Sequence, residues 1–281
     1  MTDRHQWKLG ASTCIFEVQD GMNEQGFLHY QESGISYAEL SRNYEDLVKD
    51  GFFENPQRIR QLAGQHGVTF WSFHVPFGPE LHPANLEEEK NQKAMEIMQE
   101  CIRRATEIGI KTIVVHPSSE PNKEEERAAK MERAIQNLKI LSDLCQSLGA
   151  VLAVEDLPRT CLGNHSDDII AFLDAIPELM LCFDTNHLTR QANGEFLEQL
   201  IKHKLHGRIR TIHASDYDAI DEKHRLPLDG VNDWGMIFQK LEELDYQGVF
   251  MYEVSKGWDR DVPYTLKDIA ENFESLKEKY F

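Results

Sequence analysis

Strand-like and helix-like segments alternate along the whole chain, and this alternation limits the fold more than any other feature. Six short runs rich in apolar and β-branched residues each stop at an ionisable side chain. They are FWSFH at His74, TIVVH at His116, VLAVE at Glu155, LMLCFD at Asp184, RTIH at His213 and VFMYE at Glu253. Two more strands read as KLGASTC (8–14) and ISYAEL (35–40), the second with Glu39 near its end. Eight strands separated by helices imply parallel pairing through helical crossovers. An open, doubly wound sheet would gather its polar strand ends at one switch point. Here they occur all along the chain, which favours a closed (β/α)8 barrel whose carboxyl-end side chains converge on one rim.

Between the strands, apolar residues recur at helical spacing. Asn55–Pro56 reads as a cap with proline at the first helical position, and Ile59, Leu62 and Ala63 follow on one face. Asn85 with Glu88, and Asn122 with Glu125, read as capping-box-like starts of two longer helices closed by Gly109 and Gly149. Ser166 reads as the cap of a shorter helix, and others are expected near 194–205, 233–244 and 266–279. No linker, repeat or low-complexity run divides the chain, so residues 1–281 are expected to form a single domain.

The balance of 48 acidic against 30 basic residues gives a formal net charge of −18. This argues against a nucleic-acid partner, because phosphate binding relies on clustered Lys and Arg. Five cysteines without a CxxC pair, and an amino-terminal MTDRHQWKLG without an apolar core, lead us to expect reduced thiols and a cytoplasmic location. No run approaches the roughly 18 apolar residues of a membrane span. No P-loop, no G-x-G-x-x-G after the first strand and no G-x-S-x-G elbow are present.

The strand ends carry the functional signal. One strand-end carboxylate can cap a helix or pair with a lysine, and one strand-end histidine is commonly structural. Five in succession, His116, Glu155, Asp184, His213 and Glu253, point instead to a shared site. Glu253 is the most telling, since four apolar neighbours place it at the inner end of a buried strand, where an unpaired carboxylate is costly. Oxygen-rich ligation with one imidazole suits a single divalent ion: Mn²⁺, Mg²⁺, Co²⁺ or Zn²⁺. Asp216, three residues after His213, is expected to orient the imidazole. His5, His29, His66, His82, His165, His203 and His206 sit in polar segments and are expected at the surface. Phe16, Trp71, Phe77, Trp234 and Trp258 lie in or near rim segments and are candidates for stacking on a bound ring; Arg159 and Arg225 are candidates for an anionic group.

At these residues the chain resembles the xylose isomerase-like TIM barrels, which include sugar isomerases and epimerases, inosose dehydratase and the endonuclease IV group. The resemblance is carried by the Glu155 segment, DTNH (184–187), HASD (213–216), the stretch KHRLPLDG–VNDW (223–234) and the Glu253 strand end, with His74 and His116 extending it. It implies metal ligation by Glu155, Asp184, His213 and Glu253, and substrate contact by His187, with His224 lining the pocket. The endonuclease IV group uses further histidines for three zinc ions; His74, His116, His187 and His224 match their positions, but its D-x-H element is EKH here, with Glu222. Ketose epimerases carry another Glu shortly after the strand-five ligand, where this chain has PRTC. The resemblance therefore implies a metal-dependent sugar or sugar phosphate isomerase or epimerase, with Glu155 and Glu253 as acid and base. A polyol dehydratase or lyase, or a zinc phosphodiesterase of the endonuclease IV kind, is the alternative. The expected partner is a small sugar or polyol, with His74, His116, His187, His224 and Arg225 around it; a homo-oligomer is open.

Overall fold

The computed structural model describes residues 7–16, 22–187, 190–254 and 262–281. His5 and Trp258 lie outside that set. Eight parallel strands form one sheet: β1 (Lys8–Ser12), β2 (Tyr37–Ser41), β3 (Thr69–His74), β4 (Thr112–Val115), β5 (Val151–Glu155), β6 (Met180–Asp184), β7 (Ile209–His213) and β8 (Val249–Tyr252). Strands β1 to β7 pair in sequence order, and β1 also pairs with β8. The barrel is closed just above β7, where Ala214 bridges Tyr252, the Ala214 amide donating to Met251 and the Glu253 amide to Ala214. This closure sets Glu253 beside His213. The expected (β/α)8 TIM barrel is the observed architecture, in one domain.

Nine α-helices are present among the described residues: α1 (Glu24–Ser33), α2 (Tyr44–Lys49), α3 (Pro56–Gln65), α4 (Glu88–Glu107), α5 (Arg127–Ser147), α6 (Ser166–Ala175), α7 (Asn193–Lys202), α8 (Trp234–Glu243) and α9 (Leu266–Tyr280). Three helix starts differ from the sequence reading. Asn85 does not cap α4; its amide donates to the carbonyls of Glu80 and His82. Asn122 donates to Ser118 Oγ, and α5 begins only at Arg127 after a 3-10 turn at Glu124–Glu126. At α6 the cap is His165, one residue before Ser166.

The main core lies between barrel and helices, while Val114, Ala153 and Cys182, with Met180 against them, form a small separate apolar cluster. Two irregularities shape the barrel floor. The register slips between β2 and β3 at Ala38/Glu39, opposite Trp71, and between β6 and β7 at Leu181/Cys182, opposite Arg210. The bulges aim Trp71 and Arg210 at each other, with the guanidinium 4.8 Å from the ring. Trp71 Nε1 donates to Thr211 and Arg210 Nε to Thr112. Trp71 thus plugs the barrel below the site. Trp234 is fully buried and belongs to the core.

His82 is buried, contrary to the surface position expected for it. Its Nδ1 accepts from the Ala84 amide, and burial together with Lys130 holds its pKa down at about 4. The folded protein therefore resists a proton that the unfolded chain accepts below about pH 6.5. Relative to a His82→Gln variant, the wild type is expected to lose stability as pH falls from about 6.5 to about 4, by at most about 1.4 kcal/mol per pH unit, with no further relative change below. Urea melts of both proteins across that window check the slope; parallel pH profiles would contradict it.

Candidate metal centre and its pocket

Strand alternation turns the last inward residue of each strand into the carboxyl-end mouth, so residues far apart in sequence meet there. Ligand atoms of Glu155, Asp184, His213 and Glu253 lie within 4.8 Å of one another. His213 is the centre of the group. Its Nδ1 faces Glu155 Oε1 at 3.1 Å, Glu253 Oε2 at 3.3 Å and Asp184 Oδ2 at 3.7 Å. Its Nε2 donates to Glu39 Oε2 at 3.1 Å, and that carboxylate also accepts from Ser72 Oγ at 2.8 Å.

Glu39, not Asp216, therefore orients the imidazole. Asp216 instead accepts from the amides of Tyr217, Leu228 and Asn232 and from Trp234 Nε1, and so organises the loop after β7. If Glu39 fixes the ring, Glu39→Gln should weaken divalent-metal affinity by roughly 10- to 100-fold while the fold is kept. Competition against a chromophoric chelator reads this directly, and an unchanged affinity would remove Glu39 from that role.

Whether these residues fit a cation can be judged from their unmet valence. Asp184 Oδ2 is buried and has no hydrogen-bond partner, although Asp184 Oδ1 accepts from the amides of Asn186 and His187. Three carboxylates and one imidazole nitrogen around one point are a donor set for a borderline or hard divalent ion. The set fits.

A second group shares Glu155. Its Oε2 is 2.9 Å from His74 Nε2 and 3.3 Å from His116 Nε2, and these three residues also lie within ligand distance of one another. His74 Nδ1 is held by the Val75 carbonyl at 2.9 Å, which turns Nε2 toward Glu155. His187 stands on the other side, 3.6 Å from Glu155 Oε1, with its Nδ1 2.6 Å from the Asp156 carbonyl. Cys182 lies within ligand distance of Glu155 and His213, a contact the sequence reading left out. Burial pushes its thiol well above the usual range, so it forms a neutral floor.

The electrostatics follow from packing. Burial opposes the Glu155 carboxylate, but His213 and His116 outweigh it and hold the pKa well below the usual value. Burial, with Glu155 and Asp184 adding to it against His213, pushes Glu253 up to about 7. Burial works against a charged His187, yet Asp184 and Glu155 push it up to about 10. His116 goes the other way; burial brings it down to about 4 despite Glu155.

These side chains open on a cavity of about 350 Å³ that includes His74, His116, Glu155, His187, His224 and Glu253 in its wall. Arg159 lines it too, but its guanidinium is committed to Glu120 at 2.7 Å and Glu222 at 2.6 Å, which ties the loops after β4, β5 and β7 together. His224 reaches the wall with Nδ1 on the Glu253 carbonyl at 3.1 Å. Arg225 is outside the lining; its backbone bridges Asp216 and its side chain turns to the Asp229 carbonyl. Glu39 was the main omission of the sequence reading, and a carboxylate inside the apolar run ISYAEL was the signal for it. His187, Glu222 and His224 are not among the sets of described residues whose ligand atoms come within 4.8 Å of one another.

Residues 27–279 match the family described as xylose isomerase-like TIM barrel. The chain is 25% identical over 280 residues to the uncharacterized protein MJ1311 of Methanocaldococcus jannaschii, covering 95% of this chain and 94% of that protein. A stretch of 112 residues is 29% identical to a probable endonuclease 4 of Nitratidesulfovibrio vulgaris, 38% of this chain and 39% of the other. Among solved structures, a D-tagatose 3-epimerase-like protein superposes with a TM-score of 0.78 at 22% identity, over 96% of each chain.

Proposed function

The chain belongs to the xylose isomerase-like TIM barrel family, and from that premise we propose that it isomerises or epimerises a small sugar or sugar phosphate with the help of one divalent ion. One observation carries the reading. His213 Nδ1 is ringed by Glu155, Asp184 and Glu253, and the buried Asp184 Oδ2 makes no hydrogen bond. When bound by these four residues, the ion supplies Lewis-acid stabilisation of negative charge on neighbouring substrate oxygens. Glu253 lines the cavity on the β8 side and Glu155 on the β5 side, so they flank a sugar carbon placed between them. One carboxylate takes the proton from that carbon, and the other returns it. His187 and His224 stand beside them in the same wall, where they hold the sugar hydroxyls.

The test is a panel of ketoses, aldoses, their phosphates and inososes, incubated with Mn²⁺-, Mg²⁺- or Co²⁺-loaded protein in deuterated water. The expected result is deuterium on a carbon next to the carbonyl in at least one substrate, with its isomer or epimer as product. No exchange on any member of the panel would contradict the proposal.

A second reading, metal-dependent cleavage of a phosphodiester, is favoured by the way Glu155 divides its two oxygens between His213 and the His74–His116 pair. Carboxylates shared between two ions are typical of paired-metal hydrolysis. The likeness to a probable endonuclease 4 also supports it. It requires more than one ion per chain and incision of abasic duplex DNA; the sugar reading requires neither.

A further inference from the structure

The cavity at the metal centre does not end there. A second lobe of about 340 Å³ continues it toward the loops after β1, β2 and β3, and Cys14, Ser41, His74 and Phe77 line both. Each lobe alone reaches the lower bound, roughly 300 Å³, of an ordinary small-molecule site. One sugar ring over Glu155 and Glu253 therefore leaves the second lobe unfilled.

The chemistry of that lobe limits what it takes. Phe16, Pro76 and Phe77 give it apolar walls, while Ser41 and Asn43 add neutral polar groups. Among the described residues of its lining Arg42 is the one lysine or arginine, and its guanidinium is spent on Asp50 at 3.3 Å and Asp46 at 3.7 Å, while His74 Nε2 is held by Glu155 at 2.9 Å. Among the described residues, no lysine or arginine is left free there to meet a phosphate. Phe77 is 54% exposed, with one ring face stacked on His116 at 3.9 Å, so the remaining aromatic surface faces the cleft. Aromatic faces beside neutral hydrogen-bonding groups suit the apolar face and hydroxyl rim of a sugar ring.

We propose that the natural substrate is a neutral two-ring glycoside, whose reacting sugar lies over Glu155 and Glu253 and whose second, unreacting sugar lies between Phe16 and Phe77. The inference rests on the sugar-acting reading of the metal-side lobe. Phe77 belongs to both lobes, whereas Phe16 lines the second lobe and not the metal-side one. Phe16 is thus the residue that sets preference for the added ring.

Calorimetric titration of the full-length, metal-loaded protein tests this without relying on turnover. The probes are sorbitol and three glucosylated hexitols: maltitol, cellobiitol and isomaltitol. At least one glucosylated hexitol is expected to bind tenfold or more tightly than sorbitol. Phe16→Ala should lower that advantage to less than threefold and leave sorbitol affinity within twofold, with circular dichroism confirming the fold. If sorbitol binds and no glucosylated hexitol gains tenfold, the two-ring inference is overturned while the sugar-acting reading stands. Binding of none of the four overturns both. A tenfold advantage that survives Phe16→Ala overturns the placement of the second ring.

Discussion

Glu253→Gln is expected to lower kcat on the true substrate by about 10³-fold, and Glu155→Gln by at least as much, with the folded barrel retained. Glutamine matches glutamate in shape, so neither change opens a cavity. Each removes a carboxylate that would hold or return a proton. The two losses should differ in their origin. Glu253 lies at one edge of the ligand group and is partly exposed to the cavity, with a side-chain exposure of 13%. Its variant should keep a weakened metal site and lose mainly the chemical step. Glu155 is fully buried and serves both histidine clusters, so its variant should lose metal affinity as well. Single-turnover rates at saturating metal, set beside chelator competition, separate these effects. Either variant keeping more than about a tenth of wild-type kcat would remove that residue from proton transfer.

Asp216→Ala is expected to destabilise the protein by about 3–5 kcal/mol, lowering Tm by roughly 10 °C. The side chain is fully buried and accepts from three amides and the Trp234 indole, at 2.9 to 3.1 Å. Its backbone also forms the antiparallel bridge with Arg225. Removing the carboxylate leaves four donors unmet, three in a part-buried loop and one on the buried Trp234 indole. That loop carries Glu222 and His224 to the cavity, so the site should loosen along with the fold. Gly230 packs directly against this carboxylate and the Tyr217 carbonyl, leaving no room for a side chain that might fill the gap. Asp216→Asn should recover part of the loss. A Tm within 2 °C of wild type for the alanine variant would show that the loop does not depend on this hub.

Much of the site was legible because barrel closure converts a one-dimensional pattern into a three-dimensional one. An apolar run that stops at Glu155, Asp184 or His213 marks both the strand and its open end, and parallel strands bring those ends together. Glu39 escaped that logic. It sits inside its strand, and its meeting with Ser72 and His213 depends on the slip at Ala38/Glu39, which no periodicity reveals. The Asp three residues after His213 misled for a related reason: local spacing pointed to the ring, but the chain turns away and the carboxylate meets backbone amides instead. Asn85 and Asn122 resembled helix caps, yet both satisfy loop groups that only tertiary packing brings near. His82 lies in a polar segment but is buried by that same loop packing. Arg159 looked like an anion binder, and its acidic partners come from two distant loops.

Metal content of the purified protein, measured by mass spectrometry after exhaustive dialysis, tests the central claim most directly when set beside an Asp184→Asn/His213→Gln double variant. The expected result is about one tightly held divalent ion per wild-type chain and essentially none in the folded variant. Equal metal content in the two proteins, or none in either even after incubation with Mn²⁺, Co²⁺ and Zn²⁺, would contradict a cation held by Glu155, Asp184, His213 and Glu253.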